Sequence, residues 1–412
     1  MKTGLQIKAD LLQQITHSDE VTFSDSTLYK LLETVRCELS MEVAFIAQFE
    51  GNERIILKLA KSPDCSAPIY EGFSAQREKS YCQKIADGEL PNIIQNTASH
   101  PIAKSLIATK VLSIKSYIGI PLYLSNGELF GSFCCFSSQE NPNLAEQHVS
   151  ILSICTQFIV GALERQIQQD ALCVKIAGHI DQLEVDGLHQ MVFQPITDTV
   201  RQKVVGVEAL SRFGSSNERS TQEWFDQATF AGVNEKLELR ALQQAISILD
   251  KLPDDVYLSV NLSSCTLQNP SFWSVIESIP LSQLKFEINA NIPIDAVEVV
   301  ATDIFKLKQR GARVALDDVG IGHNYFKLIQ ATQPDSVKLK RSLMCCINDD
   351  LARKTLVSAL VSFASELSIV VTAKGVETKE ELLTLMELGI YCIQGFYYAK
   401  PLSLNDLTKM LK

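Results

Sequence analysis

Glu208 interrupts the apolar run Val204 to Leu210, Asn261 closes Leu258-Ser259-Val260, Glu287 closes Leu284-Lys285-Phe286, and Asp317-Asp318 follows Arg313 to Leu316. Lys338 closes Asp335-Ser336-Val337, and Glu377 lies four residues past Ala373. One carboxylate at the end of a strand is usually a helix cap or a surface group, but a whole series of them at strand ends asks for another explanation. Glu208, Glu287, Asp317 and Asp318, joined by the amide oxygen of Asn261, would repel one another at a common mouth unless cations lay among them. Hard divalent ions such as Mg²⁺ or Mn²⁺ favour that oxygen set. A pair of such ions suits phosphodiester hydrolysis, one activating water and the other stabilising the leaving oxygen.

Such a mouth needs a scaffold. Beyond Leu183 the chain reads as repeated strand-then-helix units, with strands at Met191 to Ile196, Val204 to Leu210, Val256 to Leu262, Leu284 to Ile288, Arg313 to Leu316, Ser336 to Leu339, Ser368 to Ala373 and Tyr391 to Gln394. Amphipathic helices are expected over Asp295 to Arg310 and Lys379 to Leu388. Eight strands with helical crossovers predict an α/β domain, a TIM-like (β/α)8 barrel over 183–412, which carries functional side chains where strands end and loops begin. No helix separates the first two strands, so the all-parallel order should break there.

The first half differs. Strands at Val43 to Phe49, Arg54 to Leu59, Ser116 to Leu122 and Leu129 to Phe136, with turn residues Gly51-Asn52 and Asn126-Gly127 between paired runs, predict an α+β unit with an antiparallel sheet over 1–165. From Asn143 to about Gln169 apolar residues recur at helical spacing, and 166–182 reads as a linker helix. That helix either pairs with its twin in a parallel dimer and transmits a rotation, or folds back on its own sheet.

The 412 residues exceed one ordinary hydrophobic core, which points to two domains. A formal net charge of -10 argues against nucleic-acid binding through bulk electrostatics. No apolar run is long enough to span a bilayer, and residues 1–14 lack the apolar core of a signal peptide, so a cytoplasmic location without membrane attachment is expected. The eleven cysteines include no CxxC pair and mostly sit in apolar runs such as Phe133-Cys134-Cys135-Phe136 and Leu343-Met344-Cys345-Cys346, which read as reduced core.

Phe193-Gln194-Pro195-Ile196, Val207-Glu208-Ala209-Leu210-Ser211-Arg212-Phe213, Val260-Asn261-Leu262-Ser263, Asp317-Asp318-Val319-Gly320-Ile321-Gly322, Lys374-Gly375-Val376-Glu377-Thr378 and Gln394-Gly395-Phe396 occur in that order. The series resembles EAL-domain cyclic di-GMP phosphodiesterases over about residues 183 to 410. The resemblance implies metal ligation by Glu208, Asn261, Glu287, Asp317 and Asp318, with Lys338 near the attacking water or scissile phosphate. It also implies ligand contacts from Gln194, Arg212 and Gln394, a role for Glu377 in holding the loop after Asp318, and a homodimer.

Three positions depart from that pattern. Active members carry glutamate where this chain has Lys374, aspartate where it has Lys340, and glutamate where it has Ala290, which follows Asn289 in place of threonine. These exchanges move the local formal charge by about +5, and two like charges at about 4 Å repel by roughly 4 kcal/mol at an effective dielectric of 20. The expectation is that the ammonium groups of Lys374 and Lys340 stand where metal ions would, neutralising Glu287, Asp317 and Asp318. Mg²⁺ or Mn²⁺ should then bind poorly or not at all, and hydrolysis should be absent or very low. The chain is expected to regulate by binding cyclic di-GMP or a protein partner; the alternative is a metal-dependent phosphodiesterase with an unusual site. The added lysines either attract the two phosphates of the dinucleotide or form salt bridges that fill the site. His323 reads as a helix-start surface residue.

Ser116-Tyr117-Ile118-Gly119-Ile120-Pro121-Leu122, Leu129-Phe130-Gly131-Ser132-Phe133-Cys134-Cys135-Phe136 and Ser80-Tyr81-Cys82-Gln83 resemble GAF domains over about residues 24 to 165. That resemblance implies a small-molecule pocket or a dimerisation module and leaves the ligand unnamed. Cys82 reads as a buried structural cysteine, with a reactive thiol facing the pocket as the other reading.

Overall fold

A computed structural model describes residues 25–214, 219–320 and 323–412. The region before Asp25, which holds the stretch read as free of a signal peptide, lies outside the described residues, as do Ile321, Gly322 and the side chain of His323. The chain divides into two units, Met1–Ala171 and Leu172–Lys412. No helix among the described residues is long and apolar enough to cross a membrane.

In the first unit six strands, β1 (Val43–Glu50), β2 (Glu53–Lys61), β3 (Ser74–Gln76), β4 (Ile93–Ile94), β5 (Ser116–Tyr123) and β6 (Leu129–Ser137), form one sheet in the order β3-β2-β1-β6-β5-β4. Every neighbouring pair is antiparallel. Gly51 and Gly127 adopt positive φ in the two expected hairpin turns. Alternation along the strands builds two cores. Phe45, Tyr117, Cys134 and Phe136 face one side with the helix Tyr81–Ala86. Ile46, Ile118, Phe133 and Cys135 face the other, where Leu32, Leu152 and Ile159 cover them.

The helix Glu146–Val185 runs well past Gln169. The apolar stripe does not stop there: Ile176, Ile180 and Leu183, within the second unit, continue it and pack with Phe213, Ala228 and Leu237 of that same unit. The cysteine expectation holds for Cys134 and Cys135 but not for Cys345 and Cys346, which are exposed. The short helix Arg341–Met344 ends beside them, and Cys346 takes a left-handed φ of 55°, turning the chain outward.

In the second unit β7 (His189–Asp198), β8 (Lys203–Phe213), β9 (Tyr257–Leu262), β10 (Leu284–Asn289), β11 (Arg313–Val319), β12 (Ser336–Leu339), β13 (Val370–Lys374) and β14 (Cys392–Gln394) close into a barrel. β7 is antiparallel to both neighbours, β8 and β14, and the remaining pairs are parallel. The hairpin at the start of the barrel thus breaks the parallel order, as the missing first crossover predicts.

Period-two alternation decides what fills the barrel. On β10, Leu284, Phe286 and Ile288 pack outward in the core shared with Val300, Ile304 and Leu307 of the helix Val297–Gln309. Lys285, Glu287 and Asn289 take the opposite face. Gly206 on β8 makes room at the base, because a Cβ there would lie 2.3 Å from the ring of Tyr257. That ring in turn carries the Lys285 ammonium 3.8 Å from its centroid. The interior is therefore polar and layered, and its upper layers form the site.

Candidate functional site

Strand register brings the expected residues together. Gln194 pairs with Glu208 across β7 and β8, Asn261 with Glu287 across β9 and β10, Asn289 with Asp317 across β10 and β11, and Lys374 with Gln394 across β13 and β14.

Lys338 lies at the centre. Its Nζ donates to Glu208 Oε2 at 2.6 Å and to both oxygens of Glu287 at 2.7 Å. Glu287 is 1% exposed and Lys338 2%. Asn261 Nδ2 donates to Glu208 Oε1 at 2.9 Å, and Gln394 Nε2 donates to Glu208 Oε2 at 2.7 Å and to Gln194 Oε1 at 3.2 Å. Burial alone would push the Glu208 carboxyl up, but the Lys338 charge and the amide donors outweigh it and hold the group at about 2. For Glu287 burial and the charge of Glu208 prevail over Lys338 and raise the carboxyl to about 7. Burial opposes the Lys338 charge, yet the two glutamates keep its ammonium well above the ordinary lysine value. One ammonium thus answers one of two buried carboxylates, and the pair titrates as a unit.

Lys374 makes a second cluster. Its Nζ lies 2.8 Å from Asp317 Oδ1 and 2.9 Å from Oδ2, and it also pairs with Asp318. Burial disfavours its charge, but Asp317 and Asp318 more than compensate and raise its affinity for a proton. Consecutive strand residues ordinarily point to opposite faces. Here β11 carries two residues, Asp317 and Asp318, between positions matched to Val337 and Leu339 of β12, where β12 carries Lys338 alone. This bulge, with Asp318 at φ 57°, turns both carboxylates toward one ammonium.

Lys340 does not follow Lys374. It is exposed at the N-terminal end of the helix Arg341–Met344, with its backbone N–H on Val319 O at 3.0 Å and no ion pair of its ammonium among the described residues. β12 ends at Leu339, so the side chain leaves the barrel wall, and Glu287 meets the ammonium of Lys338 instead. The Glu377 carboxylate pairs with Arg341 at the surface and makes no hydrogen bond to Asp317 or Asp318 among the described residues. Part of the loop it was expected to hold, Ile321 and Gly322, lies outside the described residues. Ala290 is 1% exposed and donates its backbone N–H to Asp317 O at 2.8 Å.

Sequence reading missed Ser259. Fully buried, it donates its Oγ to Glu287 Oε1. A polar residue two positions before Asn261 in an otherwise apolar strand was the available signal. A cavity of about 390 Å³ opens beside the clusters, lined by Arg212, Asn261, Glu287, Asn289 and Asp317 together with Glu238 and other residues of the helices Thr221–Phe230 and Asn234–Ile246. Arg212 is placed on its wall, exposed, with Nη1 on Ser211 O at 2.7 Å.

These donors do not fit a pair of divalent ions as they stand. Both oxygens of Glu208, Glu287 and Asp317 already accept from lysine, amide or hydroxyl groups. Among the described residues no three acidic, histidine or cysteine side chains converge on a point that would hold a metal.

A closed β/α barrel with an antiparallel first strand and a mouth of strand-end acids, amides and lysines defines the class of the second unit. The model of the EAL domain family matches residues 180–401, and the chain belongs to that family. It is 27% identical over 232 residues to an uncharacterised protein of Mycobacterium tuberculosis, covering 52% of this chain and 76% of that one. It is 26% identical over 238 residues to the probable cyclic di-GMP phosphodiesterase PdeD of Escherichia coli K12, covering 54% of this chain and 43% of that protein. Among solved structures, the EAL enzyme Bd1971 in its cAMP- and cyclic-di-GMP-bound form superposes with a TM-score of 0.57 at 19% identity, covering 90% of this chain and 93% of that one, which is a likeness of fold.

Proposed function

We propose that this chain is a non-hydrolytic cyclic di-GMP signalling regulator, a degenerate EAL barrel that acts by binding the dinucleotide or a protein partner under control of a GAF-like N-terminal domain. The observation that carries this reading is the Lys374 ammonium between Asp317 and Asp318. Hydrolysis through two dications would need that place for a cation that polarises water, and an ammonium cannot bind or acidify water in this way. The cavity beside the clusters, with Arg212 and Asn261 on its wall, offers a cation and an amide to a phosphodiester. In this reading the GAF-like domain occupies 1–165, the linker helix 166–182 and the barrel 183–412, in a cytoplasmic homodimer.

Calorimetry with cyclic di-GMP, with and without Mn²⁺, tests it alongside an assay for the linear dinucleotide. The receptor form binds at micromolar affinity or better, independently of metal; no binding leaves the protein-partner form. Brisk Mn²⁺-dependent linearisation would refute both. One observation favours that second reading, a metal-dependent enzyme with a one-ion site: Glu287, raised to about 7, is a buried carboxylate that Lys338 does not fully neutralise.

A further inference from the structure

The N-terminal unit contains a cavity of about 320 Å³ walled by Phe45, Phe73, Tyr81, Tyr117 and Phe136, with Ile107, Val111, Leu112 and Ile114 completing an apolar lining. Pockets of this size take small organic molecules. Within this lining stands Arg54, on the face of β2 that also carries Ile56 into the core. Arg54 is 6% exposed, and its Nε is buried without a hydrogen-bond partner. No ion pair of Arg54 with an aspartate or glutamate occurs among the described residues; its guanidinium lies 5.7 Å from the ring centroid of Phe45 and 5.9 Å from that of Phe73, and its charge reaches the buried Cys82 thiol, whose ionised form it favours. No aspartate or glutamate lines the cavity, and the other cation in its wall, Lys79, is exposed.

A buried guanidinium normally has an anion to answer it, because an uncompensated charge in an apolar setting is costly. Here the protein supplies aromatic faces and the Cys82 thiol, and no carboxylate. We propose that the N-terminal unit binds a small organic carboxylate, its apolar body held among the aromatic rings and its carboxylate paired with Arg54. The planar fork of a guanidinium matches the two oxygens of a carboxylate. A phosphate, with more oxygens and a larger charge, would find one buried cation where it needs several donors. The apolar lining requires the ligand's remainder to be uncharged and favours an aromatic ring, which can pack against Phe45, Phe73 and Tyr117.

Indole-3-acetate and indole-3-ethanol test the proposal on the full chain, since the two share a ring and differ in the anionic group. Calorimetry should find the acid bound about tenfold or more tighter than the alcohol, the gain of one charge-assisted pair. In Arg54→Met the acid should weaken to the level of the alcohol while the alcohol is unchanged. Failure of the wild-type chain to bind the acid, or equal binding of acid and alcohol, overturns the proposal; so does a preference for the acid that survives in Arg54→Met. Should that variant not fold, Arg54→Lys must keep a reduced preference for the acid, and an undiminished one counts against the guanidinium pair. All these outcomes concern the N-terminal unit and leave the reading of the barrel untouched.

Discussion

Replacing Lys374 by methionine keeps most of the side-chain volume and removes the charge between Asp317 and Asp318. The Lys374 side chain is 24% exposed and that of Asp317 14%, so their contact is largely shielded; that of Asp318 is 37% exposed, and water screens its share. Removing one partner of a fully buried pair costs about 3–5 kcal/mol. Partial exposure here reduces the expected loss to about 2–3 kcal/mol, a fall in melting temperature of about 5–10 °C for a unit of this size. The decisive measurement is the response to Mn²⁺. With the ammonium gone, two adjacent carboxylates become a site for a dication, and ligand at a hundredfold excess over Kd returns about 2.7 kcal/mol. Lys374→Met should therefore melt lower than wild type without metal and recover most of the difference with Mn²⁺, while wild type stays nearly indifferent. Lys374→Glu should bind Mn²⁺ more tightly still. Ala290 is best left in place, since at 1% exposure a glutamate there would be forced into the packed wall behind Asp317. Equal Mn²⁺ stabilisation of wild type and Lys374→Met would refute the reasoning, because the lysine would then not be holding the cation's place.

Acid sensitivity should trace in part to His189, where burial, aided by the charge of Arg240, lowers the imidazole from 6.5 to about 4. The folded chain keeps it neutral while the unfolded chain takes up a proton, so stability is full above pH 6.5 and falls by about 3 kcal/mol as pH drops to 4; urea melts of His189→Asn should lack that slope, and an unchanged slope would assign it elsewhere. Ser259→Ala removes a donor to the buried Glu287 carboxylate and should cost about 1.5–3 kcal/mol in chemical denaturation; a neutral result would mean the hydroxyl is not engaged. Gly395→Ala would place a Cβ 2.1 Å from Val376 O and 2.3 Å from Val376 N, and should lower stability by about 2–3 kcal/mol as the turn after Lys374 is displaced; full retention of stability would show that this approach can relax.

The eight barrel strands were legible because each is a short apolar run closed by a polar residue, and the break in parallel order was legible because no helix separates Met191–Ile196 from Val204–Leu210. Asn261, Glu287 and Lys338 were read from strand ends, and Glu208 from its interruption of the run Val204 to Leu210. What periodicity could not supply was the bulge at Asp317-Asp318: two adjacent carboxylates facing one lysine violate the alternation on which strand reading rests. Periodicity also treats Lys374 and Lys340 alike, as bases near strand ends. The difference is one of a few residues, since Lys374 is the last residue of β13 and still aims at the mouth, whereas Lys340 begins a helix after β12 has ended. What the helix past Gln169 packs against was not legible, because its later apolar residues, Ile176, Ile180 and Leu183, are widely spaced and gain their meaning from Phe213 and Leu237, which are distant in sequence.

The separate fates of the two lysines decide how the barrel could recognise a dinucleotide. A lysine that offers its charge to a phosphate must have that charge to spare. Lys374 does not: its ammonium is committed to Asp317 and Asp318, and Lys338 is committed to Glu208 and Glu287. The interior of the mouth, with Glu208, Glu287, Asp317 and Asp318 against two ammonium groups, keeps an acidic excess and would repel a phosphodiester that entered deeply. Attraction must then come from cations at the rim, and Arg212 on the cavity wall is placed to supply it. Recognition of this kind rests on partly screened surface charges and should weaken steeply as ionic strength rises, whereas recognition through bridging metals would fall with chelation. Salt and chelator titrations of cyclic di-GMP binding therefore separate the two modes, and loss of binding on chelation alone would return the weight of the argument to a metal held by Glu208, Asn261 and Glu287.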